Sequence, residues 1–320
     1  MSATEAETDL DVSVILPVYN EKGHLRQEVR RIRDGLDASP YSYEVIVIDD
    51  GSNDGSEQEL RQIDGIRLIR FNENRGSGSA RKAGTRAARG KVIVWTDADM
   101  TYPNHEIPQL VKELDGYDQV VGARTSEEGT AKFLRVPAKW LFRTLAQYLT
   151  EKKIPDLNSG FRAFRRAVAL QFLHLLPPGF SCVTTITMSF LSNGYSVKYV
   201  PIEYRPRSGR SKFHWWTDSK RYGTQIIRMI LSFNPLRVFL PIALILTAVG
   251  TGKLIFDWVG KDFHLATNTL LIFFAAFQML AIGLLADLVV RLGRPRDAVD
   301  PESLTLSSDA FGGGHERPLI

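Results

Sequence analysis

A chain of 320 residues, of which 44% are hydrophobic and 24% charged, is long and apolar enough for one large folded domain plus a smaller unit, which excludes a disordered protein. A single cysteine, Cys182, excludes an intramolecular disulfide framework and fits a reducing, cytosolic location. The net charge of +4 is modest, but basic residues crowd between positions 205 and 228. This local basic face suits anionic lipid or phosphate better than a nucleic-acid groove, so we expect no nucleic-acid partner.

Strands and helices alternate through the N-terminal part of the chain. Short apolar runs predict strands at residues 12–18, 43–48, 66–69, 92–95, 119–122 and 195–203. Helical spacing of apolar residues predicts helices at 24–36, 80–89, 103–114, 133–149 and 167–176, the last entered from a turn at 156–162. Such alternation is typical of an α/β domain with a mostly parallel sheet. Residues 1–11 are acidic, lack the features of a signal peptide and predict a disordered tail.

Acidic residues follow two of the predicted strands where each strand ends. Asp97 and Asp99 follow one buried strand, and Asp49 and Asp50 follow another. Ligands of open α/β sheets bind outside the carboxyl ends of the strands, and alternating carboxylates there can hold one divalent cation beside substrate phosphates. A metal-diphosphate site is therefore our first hypothesis, and a solvated turn is the alternative.

Two glycine-containing stretches miss the common nucleotide-binding motifs. The stretch from Gly76 lacks the third glycine of the dinucleotide fingerprint, because Arg81 stands in its place. The stretch from Gly84 has Val92 where a P-loop needs Ser or Thr. Neither a Rossmann dehydrogenase nor a P-loop kinase is predicted.

The C-terminal part carries a pattern typical of a membrane anchor. Apolar and aromatic residues on one helical stripe predict an interfacial amphipathic helix within residues 213–234. Residues 238–259 and 269–290 are each close to the ~20 residues that a bilayer-spanning helix needs; a buried helical hairpin is the alternative. Basic residues flank the pair of spans, so the positive-inside rule predicts a multi-pass membrane protein with the large domain and both termini in the cytoplasm. Residues 293–320 predict a disordered cytoplasmic tail.

Five stretches, taken in order, resemble the motifs of one enzyme family. They are Val14–Glu21, Val47–Ser52, Asp97–Asp99, Ser159–Arg162 and Arg207–Lys212. The set resembles family 2 glycosyltransferases of the GT-A fold, and more closely the polyprenyl-phosphate glycosyltransferases, the group that includes dolichol-phosphate mannose synthase. The resemblance implies a Rossmann-like GT-A domain at residues 12–212, joined through the interfacial region at 213–234 to two transmembrane helices at 235–292.

The resemblance also implies roles for individual residues. Those that match positions holding the nucleotide sugar are Pro17, Tyr19, Glu21, Asp49, Asp50, Asp97, Arg124, Arg207 and Lys212. Asp97 and Asp99 match the motif that binds a divalent metal, Mg²⁺ or Mn²⁺, with the diphosphate, and together with Arg124 they form the implied catalytic set. The chain departs from the pattern at Thr101, where family members often carry Gln.

The implied reaction is metal-dependent, inverting transfer of a hexose from a UDP- or GDP-hexose to polyprenyl phosphate at the cytoplasmic face of the cell membrane. A divalent cation and basic side chains would stabilise the charge that develops on the departing nucleotide. Relatives that glycosylate a hydroxyl usually place a carboxylate, as general base, in the region corresponding to residues 180–188, and this chain has no acid there. A phosphate monoester, with a second pKa of about 6, needs no such base.

Two other functions stay open at this point. The same fold could use a hydroxyl acceptor, either a lipid or a glycan, and a carboxylate contributed from elsewhere in the chain would support that alternative. A non-catalytic membrane protein that binds nucleotide sugars is the second, and the intact Asp97 and Asp99 argue against it. The sequence leaves open the donor nucleotide, the sugar, the preferred metal and whether the chain forms a homo-oligomer.

Overall fold

The computed structural model describes residues 10–124, 143–179, 181–205, 231–260 and 266–292. Some of the predictions lie outside these residues: those for Arg207, Lys212, most of the interfacial helix at 213–234 and the two terminal tails. They stay predictions.

A seven-stranded sheet forms the centre of the large domain. Its strands are β1 (Val12–Val18), β2 (Tyr43–Asp49), β3 (Arg67–Arg70), β4 (Val92–Trp95), β5 (Gln119–Arg124), β6 (Arg162–Arg165) and β7 (Val197–Ile202). They lie in the order β3-β2-β1-β4-β6-β5-β7. All neighbours are parallel except β6, which runs antiparallel to both β4 and β5. The predicted α/β fold with a mostly parallel sheet is confirmed.

Among the strands of this sheet, β6 is the one that the sequence does not predict; the helices at Ser56–Leu60 and Cys182–Ser192 are not predicted either. A turn at 156–162 leading straight into a helix is predicted, whereas Arg162–Arg165 pair with Val92–Trp95 in the middle of the sheet. That prediction was wrong because arginines at both ends of a four-residue run hide its buried character. Arg162, Ala163 and Phe164 are all fully buried.

Helices cover both faces of this sheet. They are α1 (Leu25–Asp37), α2 (Ser56–Leu60), α3 (Ser77–Ala87), α4 (Ile107–Lys112), α5 (Arg166–Phe172) and α6 (Cys182–Ser192). Helix α1 buries Leu25, Val29 and Ile32 at helical spacing and packs with α4 on one face. Helices α3, α5 and α6 pack on the other face. The central strands are thus buried on both sides, which explains their uninterrupted apolar runs.

Two long apolar helices follow, α7 (Leu236–Gly260) and α8 (Thr267–Leu292). Both are long and apolar enough to cross a membrane. They pack against each other, with Gly283 lying against Phe239, while large side chains such as Val259 (85% exposed) and Phe277 (67%) point outward. This outward apolar surface argues against the alternative of a hairpin buried within the protein.

Polar contacts hold the two ends of this helical pair. At one end, the Tyr148 hydroxyl donates to the Arg237 carbonyl at 2.9 Å, and an Arg237 nitrogen lies 2.5 Å from a Glu151 oxygen, which ties α7 to the large domain. Near the α7–α8 connection, buried Asp257 accepts a hydrogen bond from the Thr269 hydroxyl at 2.7 Å. On α8, Asp287 pairs with Arg291 one turn further along at 2.7 Å. The large domain is therefore fastened directly to the start of the first apolar helix.

Candidate active site

Three loops meet at one edge of the sheet. Strand β1 lies between β2 and β4 and runs parallel to both. Val18 is opposite Asp49 of β2, and Ile15 is opposite Trp95 of β4. The segments that follow them therefore leave the sheet at the same edge. These are the segments that carry Tyr19 and Glu21, Asp50, and Asp97 with Asp99.

Asp97 is held by a buried arginine that the sequence analysis does not identify. Arg81, on α3, is 1% exposed, and its Nη2 lies 2.5 Å from Asp97 Oδ1. The same guanidinium lies over the Trp95 ring, 5.6 Å from its centroid. Burial alone would lower the pKa of Arg81, but the interactions that favour its charged form, of which the charge of Asp97 is the largest, together raise the pKa above its ordinary value. Asp97 is thus fixed in place and partly neutralised before any substrate binds.

Gly160 lies against this ion pair. A Cβ atom at position 160 would be 2.7 Å from Asp97 Oδ2 and 3.2 Å from Arg81 Nη2. The backbone can approach the ion pair this closely only because glycine has no side chain. This contact gives the Ser159–Arg162 motif a physical role beside the Asp97–Asp99 loop.

Asp99 is oriented by Thr101. The Thr101 hydroxyl donates to Asp99 Oδ1 at 2.6 Å, and Thr101 itself is 1% exposed. The loop turns sharply between them, with Met100 at φ +64°. Thr101 therefore supports the second carboxylate at the position where family members often carry Gln.

A buried polar network supports the same loop from below. Asn104, fully buried, donates to Glu28 and accepts from Thr96, the residue before Asp97. Glu28 also pairs with Arg31 Nη1 at 3.0 Å, and Arg31 Nη2 donates to the Tyr102 carbonyl at 2.8 Å. Burial raises the pKa of Glu28, and the Arg31 charge opposes that rise. The sequence analysis does not identify these residues, which share no local motif.

The end of β1 and the loop that follows it carry three of the predicted nucleotide-binding residues, Pro17, Tyr19 and Glu21. Pro17 is half-buried in β1, and Tyr19 is 45% exposed at the edge. The Glu21 amide donates to Ser56 Oγ at 3.1 Å, which ties the two loops together. Tyr19 therefore presents an aromatic surface to solvent at the same edge as the two carboxylates of the Asp97–Asp99 loop.

Asp49 and Asp50 both hold loops in this structure. Asp50 is 2% exposed, and its two oxygens accept the Arg75 and Gly76 amides at 2.7 and 2.8 Å. Burial raises its pKa, although those two hydrogen bonds oppose the rise. Asp49 is fully buried and accepts the Ser52 amide at 3.0 Å. The structure thus gives Asp50 a clear role in fixing the segment that leads into α3.

Arg124 ends β5, and its guanidinium is paired with a carboxylate. Its Nε and Nη2 donate to the two oxygens of Asp156 at 2.7 and 2.9 Å. It also lies over the Tyr204 ring, 5.2 Å from the centroid. Burial would raise the pKa of Asp156, but the hydrogen bonds from Arg124 hold it below its ordinary value. Asp156 is the carboxylate near the site that the sequence analysis does not identify.

Tyr102 connects the Asp97–Asp99 loop to this pair. Its hydroxyl accepts the Gly160 amide at 2.7 Å, and its ring contacts the Tyr204 ring edge-on at 5.3 Å between centroids. Burial, and then the nearby Asp97 charge, raise the pKa of Tyr102, so this hydroxyl stays protonated at neutral pH. Strand β5 runs in the same direction as β4, through their common antiparallel neighbour β6, so Arg124 lies at the same edge of the sheet.

The carboxylates of the Asp97–Asp99 loop suit a cation that also binds substrate oxygens. Among the described residues, no group of three His, Cys, Asp or Glu side chains could hold a metal ion by itself. Asp97 and Asp99 offer hard carboxylate oxygens from one loop, and Asp97 is 28% exposed at its side chain. A hexacoordinate Mg²⁺ or Mn²⁺ is commonly held by one or two carboxylates plus phosphate oxygens, and these residues fit that arrangement.

Comparison with known proteins identifies the family. Residues 13–172 match the family described as Glycosyl transferase family 2. The chain belongs to this family. Residues 234–292, which contain α7 and α8, match a second family described as the GtrB C-terminal hairpin. The family 2 resemblance and the two apolar C-terminal helices are thereby confirmed.

The relatives of this family 2 glycosyltransferase have informative names. An undecaprenyl-phosphate 4-deoxy-4-formamido-L-arabinose transferase of Pseudomonas fluorescens is 29% identical, over 89% of this chain and 87% of its own length. The protein of the same name from an Enterobacter species is 30% identical, over 92% of this chain and 94% of its own. Among solved structures, Mycobacterium tuberculosis glucosyl-3-phosphoglycerate synthase with Mn²⁺, uridine diphosphate and phosphoglyceric acid gives a TM-score of 0.54 at 22% identity, covering 70% of this chain and 78% of that chain. This likeness confirms the GT-A fold.

Proposed function

We propose that this glycosyltransferase moves a sugar from a nucleotide sugar to polyprenyl phosphate, with a divalent cation, at the cytoplasmic face of a membrane that it crosses twice. One observation carries the proposal: the site at the edge of the sheet and an outward-facing apolar hairpin are fastened together in one chain through Arg237. The names of the two relatives, which include undecaprenyl phosphate, support the same acceptor class. The flanking basic residues support the cytoplasmic orientation.

The chain's own residues divide the work on the donor. Asp99, oriented by Thr101, and Asp97, fixed by Arg81, would hold the cation against the diphosphate. The cation, when bound, supplies positive charge at the departing phosphate oxygens. Tyr19 offers an exposed ring on which a nucleobase can stack. Arg207 and Lys212, outside the described residues, are proposed to add positive charge over the phosphates.

Two features of the described residues favour a phosphate acceptor. Helix α6 carries no acid. The nearby carboxylate, Asp156, forms two hydrogen bonds with Arg124, and its pKa is held below the ordinary value. A carboxylate of low pKa is a poor base for a hydroxyl. A phosphate monoester is already a nucleophile near neutral pH, so this arrangement favours lipid phosphate.

A hydroxyl acceptor is the second candidate, and Asp156 is the observation that favours it. If substrate binding drew Arg124 toward the donor phosphates, Asp156 would lose its partner and its pKa would rise toward the ordinary value. It could then take a proton from an acceptor hydroxyl. The two candidates differ in whether the enzyme needs a phosphate on the acceptor.

A donor screen tests the proposed function. The detergent-solubilised chain is incubated with undecaprenyl phosphate, Mg²⁺ or Mn²⁺, and one nucleotide sugar at a time. The sugars are UDP- and GDP-hexoses, which the sequence predicts, and UDP-4-deoxy-4-formamido-L-arabinose, which the names of the relatives suggest. We expect one donor to yield a lipid-linked sugar, with no product when excess EDTA is present. Binding of nucleotide sugars without turnover of any of them would contradict the proposal and favour a non-catalytic binding protein.

A further inference from the structure

Arg162 is a fully buried cation without a role in the chemistry described above. It is 0% exposed and stands first in β6. Its Nη1 donates to the Val183 carbonyl at 2.6 Å and to Thr187 Oγ1 at 2.7 Å, and its Nε donates to the Ser159 carbonyl at 3.1 Å. All of these acceptors are uncharged, and within the described part of the chain Arg162 forms no ion pair. Burying a guanidinium without a counter-ion is unfavourable unless something else offsets it.

The charges around Arg162 do not balance. Burial, and then the like charge of Arg81, lower the pKa of Arg162 to about 10, so it stays charged at neutral pH. The carboxylate of this cluster is Asp97, which pairs with Arg81. The other titratable groups that face Arg162 are Cys182, Tyr199 and Tyr102. Burial raises the pKa of each of these three, so they are neutral at pH 7. Arg81 thus has a carboxylate partner, and Arg162 has none among the described residues.

This surplus positive charge lies directly behind the segment 158–160, which borders the active site. Arg162 holds the Ser159 carbonyl, and Gly160 lies against Asp97. Asn158 accepts a hydrogen bond from Thr184 on α6 at 2.9 Å. The backbone of this segment therefore contacts both the Arg162 guanidinium and Asp97. In so buried a layer, charges interact more strongly than across water.

We propose that Arg162 determines acceptor specificity: its surplus charge favours a doubly charged phosphate monoester over acceptors with one charge or none. The inference rests on the proposed function, because it concerns the acceptor of the same site. Arg162 touches no substrate in this account and acts through its electric field, so it is a positioning and specificity residue. A purely structural role, bracing the Ser159 carbonyl, would affect all acceptors alike.

The test compares Arg162→Gln with a matched control on the same strand. Arg165→Gln removes the same charge, but Arg165 is paired with Asp118 at 3.6 Å and is partly exposed. The dissociation constant of the full chain in detergent is measured for farnesyl phosphate, for its singly charged methyl ester and for farnesol. We expect Arg162→Gln to weaken the binding of farnesyl phosphate at least ~10-fold more than the binding of farnesol, with the loss for the methyl ester in between. Arg165→Gln should change none of these preferences.

Each contrary result has a distinct meaning. An equal loss for all three probes, or none, overturns the role of Arg162 in specificity. If the wild-type chain binds farnesyl phosphate no better than farnesol, the proposed lipid-phosphate function itself fails.

A second variant, Arg162→Lys, keeps the positive charge but loses the planar guanidinium with its several N–H donors. It tests the role of Arg162 in specificity if Arg162→Gln does not fold. Burial and the nearby Arg81 should lower the pKa of a lysine at this position below its ordinary ~10.4. Measured against wild type at each pH from 6 to 9.5, its preference for farnesyl phosphate should therefore fall as the pH rises. A preference that is lost equally at every pH would indicate a structural brace and overturn the proposal.

Discussion

Asp99→Ala lowers kcat/KM for the nucleotide sugar by at least ~10³-fold, because a hard cation loses one of the two carboxylates that the Asp97–Asp99 loop offers it. Asp97 remains paired with buried Arg81 in this variant, and the Thr101 hydroxyl loses the Asp99 oxygen to which it donates. The loss should appear in two measurements, the transfer rate and the Mn²⁺-dependent part of nucleotide binding. Thermal unfolding should be nearly unchanged, because Asp99 is partly exposed.

Asp34→Ala is the matched control for that variant. Asp34 lies on α1 with its side chain 65% exposed, and its contact with Arg30 at 3.9 Å is a weak surface pair. We expect wild-type transfer from it. Substantial transfer by Asp99→Ala, or full wild-type activity in excess EDTA, would show that the metal assignment is wrong.

Arg81→Met should both destabilise the domain and reduce transfer. The substitution leaves Asp97 without its buried partner, and breaking a buried ion pair typically costs about 3–5 kcal/mol. The 28% exposure of the Asp97 side chain lets water solvate it in part, so we expect a cost at or just below the lower end of that range, roughly 2–3 kcal/mol. For a domain of this size that corresponds to a fall in Tm on the order of 5–10 °C. Thermal unfolding in detergent measures it.

A double-mutant cycle separates stability from function at the same pair. Asp97→Asn alone leaves Arg81, which is 1% exposed, without a counter-ion and should be the more destabilising single change. The double variant Arg81→Met/Asp97→Asn removes both charges, so much of the stability should return while transfer stays low. Additive losses of stability in the double variant would show that the two charges do not depend on each other.

Local patterns in the sequence sufficed for the elements built from contiguous apolar runs. Strand β4 and the carboxylates that follow it could be placed together because a buried run ends just before Asp97. Helices α7 and α8 could be placed because few charged residues interrupt their long apolar runs. The family resemblance added the order of the motifs. The match of residues 13–172 to Glycosyl transferase family 2 confirms that family.

Contacts between distant parts of the chain were beyond the reach of local patterns. Arg81 reads as one basic residue of a small helix, and only the packing of α3 against the sheet brings it to Asp97. The Asn104–Glu28 contact spans 76 positions. The sequence predicts Asp156 only as a turn residue, and its pairing with Arg124, 32 positions earlier, is seen only in the structure. Each of these partners depends on tertiary packing, which composition and periodicity do not encode.

Transfer to undecaprenyl phosphate and to undecaprenol, measured side by side from pH 5 to 9, tests most directly whether the acceptor is a lipid phosphate. We expect transfer to the phosphate alone. Its rate should rise as the acceptor loses its second proton near pH 6, because the dianion is the nucleophile, and should then stay flat through neutrality. Comparable transfer to the free alcohol would contradict the account and would assign the role of general base to a carboxylate such as Asp156.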